Sequence, residues 1–502
     1  MLISLFKNKW LLIFIGLIIF GTAGLARAQT SSGFEISGWV PYWRTEAGVA
    51  SILPNLNLFN EVNPFIYTVR LDGTLNQASA ITDQNWQNLK VKSKELGVKF
   101  IPTITWSNAD KMHEIFSDPI KRQAHIQAIT REIFANNFDG IDIDYEAKYA
   151  ETRPYFSLFL KELYEAVGYN KWVMCTIESR TPLDSRYLKP EDIPADIEYA
   201  NDFKEINKYC DRVRIMTYDQ GRIDLKLNEA KGNPYAPAAD KDWVEKAIRL
   251  AMADIDKDKL VIGVPTYGYE YDMFTALDGS GEIQYSQLWA FNLGYATDIA
   301  SKLGLTVIRN NAGELMITFL ASMSPEPSIP LPSATRVLSW SDAEAVKQKI
   351  ELAKSLGVRG VAIFKIDGGQ DPAIWNVLPS YANGNPKVAL KPPVIAMSEN
   401  PSGVPGGGTD IPGAGASSGD SLVMPTRDLE YGMRNEDVRT LQKYLNTKGF
   451  TVSSSGGGSL GNETTFFGPA TRSALSRFQQ EYKITPTAGY YGPRTRAVIS
   501  SM

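Results

Sequence analysis

The chain is poor in the residues that metal and thiol chemistry draw on. Among its 502 residues are only two cysteines, Cys175 and Cys210, and two histidines, His113 and His125. Both histidines fall in polar helical surroundings without ligand spacing. Neither a zinc site nor a histidine-dependent catalytic triad is therefore supported, and no metal or cofactor is expected. Charge excess is lacking too. A net charge of −4 leaves no basic footprint for nucleic acid. No Gly-rich phosphate turn follows the first strand, which argues against a doubly wound nucleotide-binding sheet. Aromatics, by contrast, are plentiful. The 10 Trp, 23 Tyr and 21 Phe are enough for a large core and for an aromatic-lined cleft as well. The length calls for more than one domain.

One hydrophobic run stands out near the start. Lys7 and Lys9 precede the apolar stretch Trp10–Phe20, and Ala26-Arg27-Ala28 offers a small-residue cleavage site. This pattern reads as a secretory signal over 1–28. The stretch falls just short of a comfortable bilayer span, so a membrane partner is expected only if the segment stays uncleaved. The rest of the chain is expected to be secreted or associated with the cell envelope. Export permits a disulfide between Cys175 and Cys210, while a mid-strand and a pre-strand position suit two buried thiols equally well.

After the signal, short apolar strands alternate with amphipathic helices. Strands are expected at 34–43, 62–68, 98–106, 140–146, 172–179, 212–219, 260–267 and 358–366. Helical patterns such as Gln84–Leu96, Arg122–Asn136 and Ser341–Leu356 lie between them. Eight such units predict an α/β fold, a (β/α)8 TIM barrel over 34–380. About 90 residues separate the seventh and eighth strands, and 272–338 reads as a small α+β insertion walling one side of the cleft. Residues 381–424 turn to Pro, Gly and Ser, a flexible linker. The remainder, 425–502, is a small all-α module. It carries Phe467-Gly-Pro-Ala-Thr-Arg and Tyr491-Gly-Pro-Arg-Thr-Arg, one device repeated 24 residues on. Its 10 Lys/Arg against 6 Asp/Glu make it +4, leaving −8 for the rest, a distribution suited to an anionic polymer.

The chemistry concentrates in Asp139-Gly-Ile-Asp-Ile-Asp-Tyr-Glu146. Side chains alternate along a strand, so Asp142, Asp144 and Glu146 share one face, roughly 6–7 Å apart, and Ile141, Ile143 and Tyr145 take the other. Three carboxylates so close cannot ionise independently, and at least one pKa should rise. An EF-hand calcium loop is excluded, because its sixth position would need Gly and holds Asp144 or Ala147. Barrel active sites lie at the C-terminal strand ends, which here carry Trp43, Tyr67, Trp106, Glu146, Glu178, Asp219 and Tyr267. Aromatics around carboxylates suit sugar chemistry: flat rings stack on pyranoses and an acid protonates the departing oxygen.

These motifs resemble known families. Phe138-Asp-Gly-Ile-Asp-Ile-Asp-Tyr-Glu146 resembles the catalytic signature of glycoside hydrolase family 18, and Met216-Thr-Tyr-Asp219 its second motif. Gly38-Trp-Val-Pro-Tyr-Trp43 and Gly263-Val-Pro-Thr-Tyr-Gly268 are similar to the cell-wall-directed branch typified by spore-cortex-lytic enzymes. Residues 428–502 resemble the three-helix peptidoglycan-binding domain. The resemblance implies that Glu146 is the general acid and then the base. Asp144 would orient the substrate's N-acetyl group, Asp142 would share a proton or charge with Asp144, and Tyr218 would donate to the acetamide oxygen. The substrate itself is then the nucleophile, an exception to the two-carboxylate rule. Trp43, Tyr67, Trp106, Met216, Asp219, Tyr267 and Phe364 would bind substrate. The family's eighth strand commonly ends in Trp, where this chain has Phe364, so a smaller floor is expected. Charge on Asp144 and Asp142 is expected to raise the pKa of Glu146.

The implied partner is a polysaccharide containing N-acetylglucosamine, cleaved at β-1,4 bonds, with peptidoglycan first. Chitin or chitooligosaccharides are the alternative substrate. A non-catalytic glycan-binding barrel is the alternative of another class, and it is disfavoured because such barrels usually lose the final Glu retained here as Glu146.

Overall fold

The computed structural model describes residues 33–276, 280–325, 334–382, 424–429, 433, 435–453, 457–484 and 489–500. The signal at 1–28, nearly all of the linker and the proline-rich stretch after Pro325 lie outside the described residues.

Eight parallel strands close into a barrel: β1 (Glu35–Pro41), β2 (Glu61–Val69), β3 (Thr103–Trp106), β4 (Gly140–Tyr145), β5 (Trp172–Glu178), β6 (Arg212–Met216), β7 (Leu260–Pro265) and β8 (Gly360–Phe364). Each pairs with its sequence neighbour, and β1 pairs with both β2 and β8, so no edge remains. Parallel strands are covered on both faces, which is why β1, β4 and β7 are buried at every residue. The intervening helices start and stop where their sequences direct. Asp83 accepts from the Asn85 amide to cap Gln84–Leu96, and Gly97 ends it at φ 71°. Asp342 and Gly357 do the same for Ala343–Leu356.

The expected strand 98–106 is broken into Lys99–Phe100 and β3. Pro102 lies between the pieces and has no N–H for the ladder. The expected insertion over 272–338 is wider in the structure. A five-stranded antiparallel sheet runs from Gly268–Thr275 through Ile283–Phe291, Ile308–Arg309 and Leu315–Leu320 to Thr335–Trp340, with the helix Leu293–Leu303. Trp289, Phe291, Leu338 and Trp340 form its own core.

The C-terminal module has helices Glu436–Thr447, Pro469–Glu481 and Pro493–Ser500 around Leu429, Val438, Leu441, Phe467, Phe478 and Tyr491. Its repeated device is visible in hydrogen bonds. Gln442 donates to the Phe466 carbonyl and Thr471 Oγ1, and Gln479 to the Tyr490 carbonyl and Thr495 Oγ1, the acceptors again 24 residues apart. The linker is shorter than 381–424 at both ends. Tyr381 and Ala382 pack on the barrel, and Met424 packs on the module.

Cys175, in β5, and Cys210, just before β6, form a disulfide with both side chains buried. Strands β5 and β6 are neighbours, and the Cα atoms stand 5.9 Å apart, a distance that suits the bond. The bridge closes a separation of 35 residues. Replacing both cysteines by Ser should lower stability by about 2–4 kcal/mol in urea unfolding, chiefly by freeing the unfolded chain. An unchanged midpoint would show that the bridge contributes nothing.

Candidate active site

The carboxylate-bearing strand β4 is held close to its neighbour. A Cβ on Gly140 would lie 2.2 Å from the Trp172 carbonyl oxygen, so only glycine admits this approach. Tyr145 points outward, where its hydroxyl meets His125 Nε2 at 2.7 Å, and His125 Nδ1 lies 2.6 Å from the Gly73 carbonyl. Burial lowers His125 to a pKa of about 4, so the ring stays neutral as a structural prop. Among the described residues no cluster of His, Cys, Asp and Glu could hold a metal.

Asp142, Asp144 and Glu146 face inward. Asp142 is fully buried and saturated. It accepts from Trp39 Nε1 at 3.0 Å, Thr103 Oγ1 at 2.7 Å and Thr176 Oγ1 at 2.8 Å, and it pairs with Arg214 at 2.9 Å. Arg214 also donates to Glu61 Oε1 at 2.5 Å and Asn63 Oδ1 at 2.9 Å. The floor of the barrel is thus a buried cation between two carboxylates, with the Trp39 ring 4.9 Å from the guanidinium.

Asp144 is buried, and its Oδ1 has no hydrogen-bond partner in the protein. Burial first, then the charges of Glu146 and Asp142, raise its pKa well above the carboxylate range. Glu146 is raised to about 7, by burial and then by the nearby Glu178, while Lys148 opposes the shift. The expected cause was wrong in part. The hydrogen bond from Asp144 lowers the pKa of Glu146, so its elevation comes from desolvation and from the charges of Glu178 and Asp219. Glu178 is itself held low, because Lys148 and the Ala147 amide outweigh its burial. That amide donates to Glu178 Oε1 at 2.8 Å from a left-handed residue, φ 57°, immediately after Glu146. Such backbone persists only where its surroundings hold it, and here the amide of the strained residue is held by Glu178.

Tyr218 lies buried against Phe364, the rings stacked at 5.4 Å and 17°. Burial raises its pKa well above 10, so its hydroxyl remains a donor. A Cβ on Gly263 would stand 2.9 Å from Tyr218 Cε1, and glycine leaves room for the ring. Phe364 also meets Trp39 and Tyr267 edge-on, at 5.8 and 5.9 Å. Tyr267 and Tyr269 hydroxyls donate to Asp219 Oδ1 at 2.5 and 2.6 Å. Trp43, Asp219, Tyr267 and Phe364 line a cavity of about 900 Å³. Half-buried Met216 ends β6, two residues before Tyr218.

Two expected substrate residues are elsewhere. Tyr67 is buried behind the barrel, its hydroxyl donating to Glu132 Oε2 at 2.8 Å. A register irregularity between Phe65 and Tyr67 makes Phe65 the inward aromatic. Trp106 packs outward against Phe116, His125 and Tyr145. Thr103, which reaches Asp142, is on the inward parity of β3, and Trp106 is on the other. The sequence reading also missed Arg214 and Trp39. An arginine flanked by Val213 and Ile215 in a buried strand was the available signal for the first.

Comparison with known proteins finds a match for the barrel and another for the C-terminal module. Residues 67–369 match the description "Glycosyl hydrolases family 18", and residues 434–499 match a peptidoglycan binding domain. The uncharacterized glycosylase YvbX of Bacillus subtilis (strain 168) is 24% identical over 245 residues, 48% of this chain and 61% of the relative. Chitinase A1 of Niallia circulans is 26% identical over 349 residues, 61% of this chain and 44% of the relative. The chain thus spans less than two thirds of either relative. In fold it is similar to the spore cortex-lytic enzyme SleL of Bacillus megaterium QM B1551, with TM-score 0.53, 18% identity and coverage of 71% of this chain and 76% of that one. It is also similar to a class V chitinase from Pseudomonas fluorescens Pf-5, with TM-score 0.54, 20% identity and coverage of 69% and 99%.

Proposed function

From its membership of glycosyl hydrolases family 18, a family of glycosidases, we propose that this chain cleaves β-1,4 bonds beside N-acetylglucosamine in peptidoglycan, outside the cytoplasm. The proposed mechanism is retaining and substrate-assisted. A pyranose rests on Phe364, and Asp144 accepts the acetamide N–H while Tyr218 steadies the acetamide oxygen. That oxygen attacks the anomeric carbon as Glu146 protonates the departing glycosidic oxygen. Glu146, now ionised, takes a proton from water, which attacks the same carbon and reopens the cyclic cation.

One observation carries this reading: a buried Asp144 oxygen without a partner, between the anchored Asp142 and the protonatable Glu146. An unsatisfied buried acceptor is costly unless a ligand supplies the donor. The peptidoglycan binding domain favours cell wall as the substrate, and its net positive charge suits an anionic polymer. Export is supported by the leader pattern at 1–28 and by the disulfide. Chitin is the second reading, resting on the likeness to Chitinase A1.

Purified peptidoglycan and chitin oligomers, digested separately, decide between the two. Mass spectrometry should find fragments from peptidoglycan with N-acetylglucosamine at the new reducing end. Early NMR spectra should show the β anomer. Fresh α anomer contradicts the mechanism, and fragments from chitin alone contradict the substrate.

A further inference from the structure

The C-terminal module touches the barrel's insertion. Arg472, on the helix Pro469–Glu481, stands 4.2 Å from the Trp289 ring and donates to the Tyr295 hydroxyl at 3.3 Å. Tyr295 in turn donates to the buried Glu270 at 2.6 Å, and Glu270 pairs with Arg336. The contact therefore ends on a fixed element of the insertion rather than on a loose loop. Asp428 and Arg496 of the module also come near enough to Tyr42 of the barrel to act on its ionisation. The cavity of about 900 Å³ already described is lined by Trp43, Asp219 and Phe364 from the barrel, by Trp289 and Tyr295 from the insertion, and by Gln479, Tyr490 and Arg494 from the module.

We propose that the module is the outer wall of the substrate groove, so that barrel and module hold one N-acetylhexosamine chain together. The module's contribution is preformed. Gln479 fixes the Tyr490 carbonyl at 2.7 Å, the Tyr490 hydroxyl donates to Asp428, and Arg494 is exposed. An aromatic ring and a guanidinium lining one cavity offer a flat face to a pyranose and donors to its acetamide or carboxylate groups. The cavity, at the upper end of single-ligand pockets of roughly 300–1,000 Å³, is not itself lined by Asp144, Glu146 or Tyr218 and adjoins them through Phe364, which stacks on Tyr218. A module acting only as a tether would raise local concentration and leave the affinity for soluble chains unchanged. A shared groove changes that affinity.

This inference rests on the proposed N-acetylhexosamine substrate but not on the choice of peptidoglycan. The test uses the full chain and soluble oligomers of three and of six or more sugars, from whichever of the two glycans the wild type cleaves. Arg472→Ala loosens the contact with Trp289 and Tyr295. It should raise KM for the long oligomers about fivefold, the scale of one half-buried cation–aromatic contact, at unchanged kcat. Trimers should be unaffected, and Arg472→Lys should recover part of the loss. Arg494→Ala, inside the groove, should also raise KM for long oligomers. In solution scattering the Arg472→Ala protein should be more extended than the wild type. Unchanged KM on long oligomers in both variants would reduce the module to a tether. A lower KM in Arg472→Ala would show that the module obstructs the cleft. Either result overturns the proposal.

Discussion

Replacing Glu146 with Gln should reduce hydrolysis by about 10²–10⁴-fold while glycan binding and the fold survive. The amide keeps the shape of the side chain and cannot deliver a proton. The pH profile of the wild type should show the same group from the other side. Glu146 has a pKa of about 7, against 4.5 for an unburied glutamic acid, so kcat/KM should fall as pH rises through about 7 and the acid ionises. The sign for stability is opposite to that of an ordinary surface carboxylate. The folded pKa is above the unfolded one, so the protonated side chain favours the fold fully below about pH 4.5, and this contribution is lost as pH rises through about 7. The Gln variant escapes that loss, and its melting temperature relative to wild type should therefore increase between pH 5 and pH 8. Near-wild-type turnover of a natural glycan would remove Glu146 from the role, and a parallel pH dependence of both melting curves would remove its elevated pKa.

How much of this was legible beforehand depended on what sets each feature. The barrel rhythm comes from local patterns, apolar runs separated by capped helices, and these show in the sequence, with the bounds of Gln84–Leu96 matched and those of most other elements a few residues off. The shared face of Asp142 and Asp144 follows from strand parity alone, and so does the outward Tyr145. Parity failed where the backbone departs from regular pairing. The irregularity before Tyr67 sends that ring to the helices and leaves Phe65 in the barrel, and nothing in the residue types announces it. Trp106 was misplaced for a simpler reason: counting from Thr103 would have put it outside. The origin of the Glu146 pKa required three dimensions. Glu178 and Lys148 come from a neighbouring strand end and a following loop, and their opposed charges cannot be weighed from spacing. The disulfide likewise joins residues 35 apart whose proximity depends on β5 and β6 being adjacent.

Arg214 is the residue whose loss should damage the folded state most. Its side chain is fully buried between Asp142 and Glu61, two carboxylates that no longer have water to stabilise them. Burial, and after it the charge of Glu35, raise the pKa of Glu61, and Arg214 is the strongest influence holding it down. Arg214→Met keeps much of the volume and removes the charge, leaving both acids uncompensated. Breaking a buried pair from one side costs about 3–5 kcal/mol, more than most single substitutions. The loss should depend on pH. Without the guanidinium the folded pKa of Glu61 rises further above its unfolded value, so the variant is favoured while that acid stays protonated. It weakens as pH climbs through the raised value. Urea unfolding should therefore show a smaller gap from wild type at pH 5 than at pH 8, and adding Glu61→Gln should return part of the lost stability by removing one of the stranded charges. Activity should fall as well, because Asp142 is the anchored base of the triad on which Asp144 and Glu146 are placed. Equal unfolding midpoints for wild type and Arg214→Met at both pH values would mean that the buried cation does not hold the barrel floor together.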